Sequence, residues 1–159
     1  MCSFVCPHAV IRPFLLDEGE VKAAPVDMTL VDAKGPGLAG LKYTMGVSTL
    51  DCTSCGSCVA SCPKSGKALK MVPTHEVSLD QTDWNFLTAV KEKTSRVDKF
   101  TLKGSQFKQP MLEFSGSCAG CAETSYARLV TQLFGDRMYI SNATGCSSIW
   151  GGPAATSPY

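Results

Sequence analysis

The pattern of apolar and polar residues predicts short strands in the first half of the chain. Residues 9–16 begin apolar and β-branched and are interrupted by Pro13, which predicts a short strand. Residues 67–72 predict a second strand. The stretch between them, about residues 17–51, carries turn residues and is interpreted as an insertion.

The final third of the chain has a different pattern of apolar residues. Residues 111–114 and 138–141 predict strands, and the segment between them predicts a helix. This helix covers residues 123–134 and ends before Gly135. Its apolar positions are Tyr126, Leu129, Val130, Leu133 and Phe134. A strand–helix–strand succession of this length is a βαβ unit, which implies a parallel sheet.

A polar stretch separates these two regions. It contains a helix candidate at Asp83–Glu92, which has only part of an amphipathic face. We therefore predict a first domain at 1–74, a connector at 75–105 and the start of a second domain at 106–159.

Composition and charge exclude several classes of protein. The 15 Lys and Arg residues nearly balance 14 Asp and Glu residues, which argues against a nucleic-acid partner. No apolar run approaches the ~18 residues of a membrane span, and the N-terminus has no signal-peptide pattern. We expect a soluble protein of the cytoplasm, or of an anaerobic organelle if the source is eukaryotic.

The cysteines are the unusual feature of the composition. There are nine, an odd number, in a chain without a secretory signal. Disulfides are disfavoured in a reducing compartment, so these cysteines predict a metal or redox role.

The middle cysteines form a run of the type C-x2-C-x2-C-x3-C-P. Its members are Cys52, Cys55, Cys58 and Cys62. This spacing is typical of bacterial ferredoxins that bind 4Fe–4S clusters. Gly56 and the small Ser54 and Ser57 let the backbone approach the sulfurs, and we expect the last cysteine to open a helical turn with Pro63. Structural zinc is the main alternative, but it usually pairs two C-x2-C knuckles across a longer spacer.

The N-terminus carries the tail of a second run, in which Cys2 and Cys6 precede Pro7. In two-cluster ferredoxins the fourth cysteine of each run ligates the other cluster. That rule predicts one 4Fe–4S cluster completed within the chain by Cys6, Cys52, Cys55 and Cys58. Cys2 and Cys62 are left as half of another cluster, so we expect the chain to be truncated. His8 is interpreted as a packed or solvated histidine.

The last three cysteines lie in the loops that follow the two predicted C-terminal strands. Cys118 and Cys121 lie in loop 115–122, and Cys146 lies in loop 142–152. Because such loops meet at the carboxyl edge of a parallel sheet, their thiols could share a cluster with a fourth ligand from outside the chain. A zinc knuckle, or an incidental spacing, remains an alternative.

Four segments resemble, in collinear order, the pyruvate:ferredoxin (flavodoxin) oxidoreductases. They are residues 6–14 (CPHAVIRPF), 103–110 (KGSQFKQP), 115–124 (SGSCAGCAET) and 143–152 (ATGCSSIWGG). The resemblance implies an α+β ferredoxin-like 2[4Fe–4S] domain followed by the first βαβ unit of an α/β domain that binds thiamine diphosphate.

The resemblance also implies a function. Such enzymes oxidatively decarboxylate pyruvate with coenzyme A to acetyl-CoA and carbon dioxide, and electrons pass through three 4Fe–4S clusters to ferredoxin or flavodoxin. Cys118, Cys121 and Cys146 would serve the cluster nearest thiamine diphosphate and its Mg²⁺. Glu123 and Cys146 would line the thiamine pocket, although Glu123 also fits a simple role at a helix N-terminus. The remainder of the oxidoreductase chain would be a partner, and the full-length protein is expected to be a homodimer.

Several expected parts are absent from the sequence. The Gly-Asp-Gly…Asn motif for the metal and diphosphate is missing, so we assign no catalytic residue and expect the isolated chain to be inactive. A stand-alone ferredoxin-like carrier, a segment of a related 2-oxoacid oxidoreductase, or a degenerate remnant without clusters are the alternatives.

Overall fold

The structure, a computed structural model, describes residues 1–64, 68–76, 81–152 and 159. In chain order its helices and strands are α1 (Cys2–Val5), β1 (Ile11–Leu16), α2 (Glu18–Ala23), β2 (Val31–Asp32), β3 (Lys42–Val47), α3 (Ser57–Ala60), α4 (Thr82–Ala89), α5 (Leu102–Ser105), α6 (Ala122–Phe134) and α7 (Cys146–Trp150). A 3₁₀ turn covers Thr74–Glu76. None of the described helices is both long enough and apolar enough to cross a membrane.

The chain divides into two compact units, each built from separate stretches of sequence. The cysteine unit comprises Met1–Ala9, Asp51–Met71 and Pro110–Tyr159. The sheet unit comprises Val10–Leu50 and Val72–Gln109. The two units are groups of residues that contact one another. The predicted division of the sequence into domains at 1–74, 75–105 and 106–159 stays a prediction.

The sheet unit is built on a three-stranded antiparallel sheet in the order β1-β3-β2. Ile11 of β1 lies opposite Val47 of β3, and Pro13 lies opposite Met45. The strand predicted at residues 9–16 is therefore confirmed. Pro13 is tolerated because β1 is an edge strand, where a missing N–H need not break the sheet.

Apolar side chains cover both faces of this small sheet. On one, Leu15, Leu38 and Leu41 form a buried cluster that Tyr43 and Phe107 pack against. Elsewhere in the unit, α4 contributes the buried Trp84 and Leu87, and the Trp84 ring meets Phe14 edge-on with centroids 6.2 Å apart. The helix predicted at Asp83–Glu92 is confirmed at Thr82–Ala89, and Val90 is already extended.

The strand predicted at residues 67–72 is wrong for the part that the structure describes, residues 68–72, which are irregular. Residues 65–67 lie outside the described part of the chain. Strand β1 pairs instead with β3, which comes from the predicted insertion. One reason is local, since the Ala68 N–H donates to the Cys62 sulfur at 3.4 Å and is unavailable for a strand ladder.

The C-terminal helix is confirmed, but the strands predicted on either side of it are wrong. Residues 111–114 and 138–141 are irregular. Phe114 has the left-handed φ of 48°, which ends any extended strand, and its N–H donates to the His8 carbonyl at 3.1 Å. A strand also needs a neighbouring strand to satisfy its backbone, and among the described residues no strand pairs with either segment. The βαβ unit is therefore not formed in this structure.

Helix α6 buries the face opposite to the one its apolar residues predict. Its buried positions are Thr124, Ala127, Arg128 and Thr131. Tyr126, Val130 and Phe134 are 61%, 44% and 45% exposed. The polar face is turned inward because Ser125 and Arg128 donate hydrogen bonds to backbone carbonyls in and next to α1.

Candidate metal centre

All nine cysteines lie in the cysteine unit, and all are free thiols. The fold thus collects three groups that are far apart in sequence. This gathering depends on α1, which packs against both α3 and α6.

Helices α1 and α3 repeat one local arrangement. Each is a single turn that contains the first cysteine of a C-x3-C-P sequence, and the second cysteine follows its end. Cys6 and Cys62 are buried, whereas Cys2 and Cys58 are half-buried. The expectation that Cys62 opens a helical turn is wrong, because the turn begins earlier, after the left-handed Gly56 (φ 75°).

The packing of α1 on α3 brings the turn that contains Cys58 beside the N-terminal cysteines. Burial raises the pKa of Cys58, and the neighbouring thiols of Cys2, Cys6 and Cys52 raise it further by charge repulsion. These effects outweigh a hydrogen bond from the Val59 amide. Thiols from the N-terminal and middle runs therefore lie close enough to interact electrostatically.

Cys55 faces a different neighbour, the loop that contains Cys118 and Cys121. A Cβ atom at Gly120 would lie 3.1 Å from the Cys55 Cβ, and Gly120 has a left-handed φ of 72°. Burial favours a higher pKa for Cys55, but hydrogen bonds with the Ser57 hydroxyl (3.5 Å) and amide outweigh it and lower the pKa. The second loop of cysteines thus packs directly on the first.

Cys121 is the N-cap residue of α6. The pKa of its thiol is lowered by the hydroxyl of Thr124 and then by the Thr124 amide, and burial opposes this only weakly. Amides at a helix N-terminus stabilise a thiolate, which is the form that binds metal. Cys118 is exposed three residues earlier in the same loop, and its carbonyl accepts the Cys121 N–H at 3.1 Å.

Cys146 is exposed as the first residue of α7, after the extended Gly145. The loop before Cys118 approaches this helix, because a Cβ atom at Gly116 would lie 3.7 Å from the Trp150 carbonyl. Glu123 is half-buried in the first turn of α6, where its carboxylate opposes the lowered pKa of Cys121. A carboxylate in the first turn of a helix is favoured by the helix dipole, and this one also lies two residues from Cys121.

Within residues 1–64, 68–76, 81–152 and 159, no three His, Cys, Asp or Glu side chains converge tightly enough to hold a single metal ion. A 4Fe–4S cubane spreads its ligands over four irons and needs thiolates that are further apart. The donor set fits such a cluster, since it is made of thiols and lies on loops with left-handed Ser54 and Gly56. It also comes from two cysteine runs that the packing of α1 on α3 brings together.

Sequence reasoning missed the polar residues that hold α1 in place. Arg128 Nε donates to the Leu112 carbonyl at 3.1 Å, and its Nη1 donates to the carbonyls of Ser3 and Cys6. Ser125 Oγ donates to the Val5 carbonyl at 3.1 Å. The Arg128 guanidinium lies at the C-terminal end of α1, where the helix dipole favours a positive charge. The sequence did contain one signal of this role. Thr124, Arg128 and Thr131 are spaced by four and three residues, which places these polar side chains on one face of the helix.

His8 joins the N-terminal segment to the loop before Cys118. It is buried, and its Nδ1 lies 3.1 Å from the Ser115 carbonyl. The interpretation of His8 as a packed histidine is confirmed.

No protein-family profile matches the chain. Individual proteins match it over 99% of its length. It is 55% identical to the pyruvate:ferredoxin oxidoreductase of Moorella thermoacetica and 52% identical to a pyruvate-flavodoxin oxidoreductase of Enterobacter agglomerans. It is 50% identical to a pyruvate dehydrogenase [NADP(+)] of Cryptosporidium parvum. The chain is homologous to one segment of the pyruvate:ferredoxin and pyruvate-flavodoxin oxidoreductases. It spans 14%, 13% and 8% of the length of these three relatives.

The homology supports the resemblance to these oxidoreductases over a stand-alone carrier. Nearly every residue of the chain aligns, in both the cysteine unit and the sheet unit, with proteins many times its length. The oxidoreductase segment therefore carries the sheet unit as part of the same ancestry, rather than as an unrelated addition.

Proposed function

We propose that this chain is the electron-relay segment of an enzyme that oxidatively decarboxylates pyruvate with coenzyme A to acetyl-CoA and carbon dioxide. The observation that carries the proposal is the packing of α1 on α3, which brings the N-terminal and middle cysteine runs together in a chain 55% identical to a pyruvate:ferredoxin oxidoreductase. When bound, 4Fe–4S clusters supply one-electron transfer. The residues of the chain hold the thiols on short helical turns and loops, and Cys6 and Cys62 are buried there.

In this proposal the cysteines serve three clusters. Cys6, Cys52, Cys55 and Cys58 hold one complete cluster, whereas Cys2 and Cys62 supply half of a second. Cys118, Cys121 and Cys146 supply three ligands of a third. The contact of Gly120 with Cys55 supports a short path between the third cluster and the first, because it places one cysteine loop against the other.

The names of the relatives suggest that this segment carries electrons before they reach the final acceptor, whichever acceptor the enzyme uses. All three named above share pyruvate, but one is named for ferredoxin, one for flavodoxin and one for NADP(+). The same segment is 50–55% identical in all of them. A segment preserved across different acceptors suits the internal relay, and we propose ferredoxin or flavodoxin as the acceptor here.

The remaining parts of the proposal concern the rest of the enzyme. Glu123 and Cys146 would face thiamine diphosphate, which other segments would bind with Mg²⁺. The whole enzyme would be a homodimer in the cytoplasm, or in an anaerobic organelle of a eukaryote, and this segment contributes no catalytic residue.

The test is anaerobic analysis of iron and acid-labile sulfide, with EPR spectroscopy, on the reconstituted and reduced chain. We expect about four irons per chain and one 4Fe–4S signal. Cys55→Ala should abolish both, because Cys55 is one of four ligands of the only set completed within the chain.

Cys146→Ala is the matched control, since it removes a cysteine outside that set and should leave iron content and signal unchanged. Zinc in place of iron, or retention of the signal in Cys55→Ala, would contradict the proposed ligands.

A further inference from the structure

Thr124 is a buried polar residue with no part in the proposed binding of clusters. It is 0% exposed, and its Oγ1 completes no hydrogen bond among the residues that the structure describes. A buried hydroxyl without a partner is destabilising, because it loses its hydrogen bonds to water and gains none in return. Such an atom calls for an explanation in the chemistry around it.

The other hydroxyls on the buried side of α6 are satisfied by helix carbonyls. Thr131 Oγ1 donates to the Ala127 carbonyl at 2.7 Å, and Ser125 Oγ donates to the Cys121 carbonyl at 3.2 Å. Thr124 does not follow this pattern. Since it lies in the first turn, three residues after the N-cap Cys121, its side chain is placed at the open end of the helix.

The residue beside Thr124 at this end is Cys121, because the side chains at the N-cap and third positions of a helix lie next to each other, as they do in a capping box. In this structure neither the Cys121 thiol nor the Thr124 hydroxyl completes that hydrogen bond. A thiolate accepts such hydrogen bonds better than a neutral thiol does. The orphaned hydroxyl and the sulfur are therefore complementary when Cys121 is deprotonated, as it is in any metal-bound form.

We propose that the Thr124 hydroxyl donates a hydrogen bond to the Cys121 sulfur in the cluster-bound protein and so raises the reduction potential of that cluster. Thr124 is a positioning residue, and its role rests on the proposed ligation by Cys121. Reduction adds one electron to the cluster and changes no covalent bond. A hydrogen bond to a ligand sulfur stabilises the more negative, reduced state more than the oxidised state, and thereby raises the potential.

The chain offers variants that separate the hydroxyl from its packing. Thr124→Val keeps the branched shape and removes the hydroxyl, whereas Thr124→Ser keeps the hydroxyl and removes a methyl group. Thr131→Val removes an equally buried hydroxyl from the same helix, about 15 Å along its axis from Cys121. Only the first substitution removes the hydrogen bond to sulfur.

The experiment is an EPR-monitored redox titration of the full-length gene product that carries this segment, with iron analysis and resonance Raman spectra of the Fe–S stretches. In Thr124→Val, we expect the midpoint of one cluster to become more negative and its Fe–S(Cys) stretch to shift. The iron content and the other midpoints should not change. Thr124→Ser and Thr131→Val should leave every midpoint at the wild-type value.

Unchanged midpoints and stretches in a Thr124→Val protein with full iron content would overturn the inference. A shift of equal size in Thr131→Val would overturn it as well, because packing would then explain the effect. Cys121→Ala tests the underlying ligation separately and should cost about four irons per chain. Full iron content in Cys121→Ala would refute the ligand assignment itself.

Discussion

At the scale of single residues, Gly120 decides how closely the Cys118–Cys121 loop approaches Cys55. Its φ of 72° is a conformation that glycine adopts readily, and a side chain there would press on the Cys55 Cβ and on Ser57 Oγ, at 3.1 and 3.3 Å. Both the backbone conformation and the absence of a side chain are therefore needed at this position.

Gly120→Ala should destabilise the iron-free chain more than Gly40→Ala does. Both substitutions add a Cβ at a left-handed residue, which costs roughly 1–2 kcal/mol. Only Gly120 has neighbours in the way, since nothing lies within 4 Å at Gly40, and crowding adds about 1–3 kcal/mol. Urea unfolding measures the difference. Equal losses of stability in the two variants would show that the loop does not rest on Cys55.

Several single residues were predictable from spacing alone. Ser54 and Gly56 were singled out as small residues that let the backbone approach the sulfurs, and both are left-handed in the structure. Thr124 and Arg128 were not predictable in this way. Their roles depend on which sulfur or carbonyl lies opposite them, and those partners are distant in sequence or hidden by the fold.

At the scale of elements, α6 holds α1 and therefore Cys6. The Arg128 guanidinium reaches three backbone carbonyls, those of Ser3, Cys6 and Leu112. Its planar fork of donors is suited to several acceptors at once, which a lysine ammonium on a flexible stem is not. The geometry of the N-terminal cysteines thus depends on one cation in another helix.

Arg128→Met should lower the free energy of unfolding by about 3 kcal/mol, because it leaves buried carbonyls without a donor. It should also lower the iron content of the reconstituted chain, since Cys6 is no longer held. Thermal unfolding and iron analysis are the measurements.

Arg137→Met is the matched control for this substitution. Arg137 is half exposed and lies 3.7 Å from the Asp136 carboxylate, an exposed ion pair worth about 0–1 kcal/mol. If both variants lose the same stability and iron, α6 does not position Cys6 through Arg128.

Helices were easier to predict than strands in this chain. A helix satisfies its backbone within one segment, so Thr82–Ala89 and Ala122–Phe134 could be inferred from local pattern. A strand depends on a partner that local pattern does not identify. Strand β1 was predicted, but its partner β3 came from the segment interpreted as an insertion. Residues 111–114 and 138–141 pair with no strand in the part of the chain that the structure describes.

At the scale of the whole molecule, the exposed face of α6 is the notable surface. Tyr126, Val130 and Phe134 lie on it at spacings of four residues, and each is at least 44% exposed. A contiguous apolar stripe on a helix is ordinarily covered by another surface. In the isolated chain the described residues leave it open.

The isolated chain should therefore self-associate as its concentration rises. Replacing Tyr126, Val130 and Phe134 together by lysine should shift it towards the monomer, because the stripe would then be charged. Analytical ultracentrifugation of the iron-free protein measures this. Lysine at Ser141, Ala143 and Thr144, exposed positions outside α6, adds the same charge and should leave association unchanged. A reversed order of the two variants would contradict the role of the stripe.

The cysteine spacing and the relationship to pyruvate oxidoreductases could both be recognised from the sequence without a fold. Cysteine spacing is a local property, and a loop that wraps a cluster needs its ligands at short, regular intervals, so the run from Cys52 to Cys62 could be interpreted without a fold. The tertiary structure alone decided which strand pairs with β1, which face of α6 turns inward, and which helices pack against α1 and its cysteines. Those outcomes depend on hydrogen-bond partners and packing surfaces far apart in the chain. Composition and periodicity do not encode the identity of such partners, because many segments are compatible with each until the backbone brings one of them into contact.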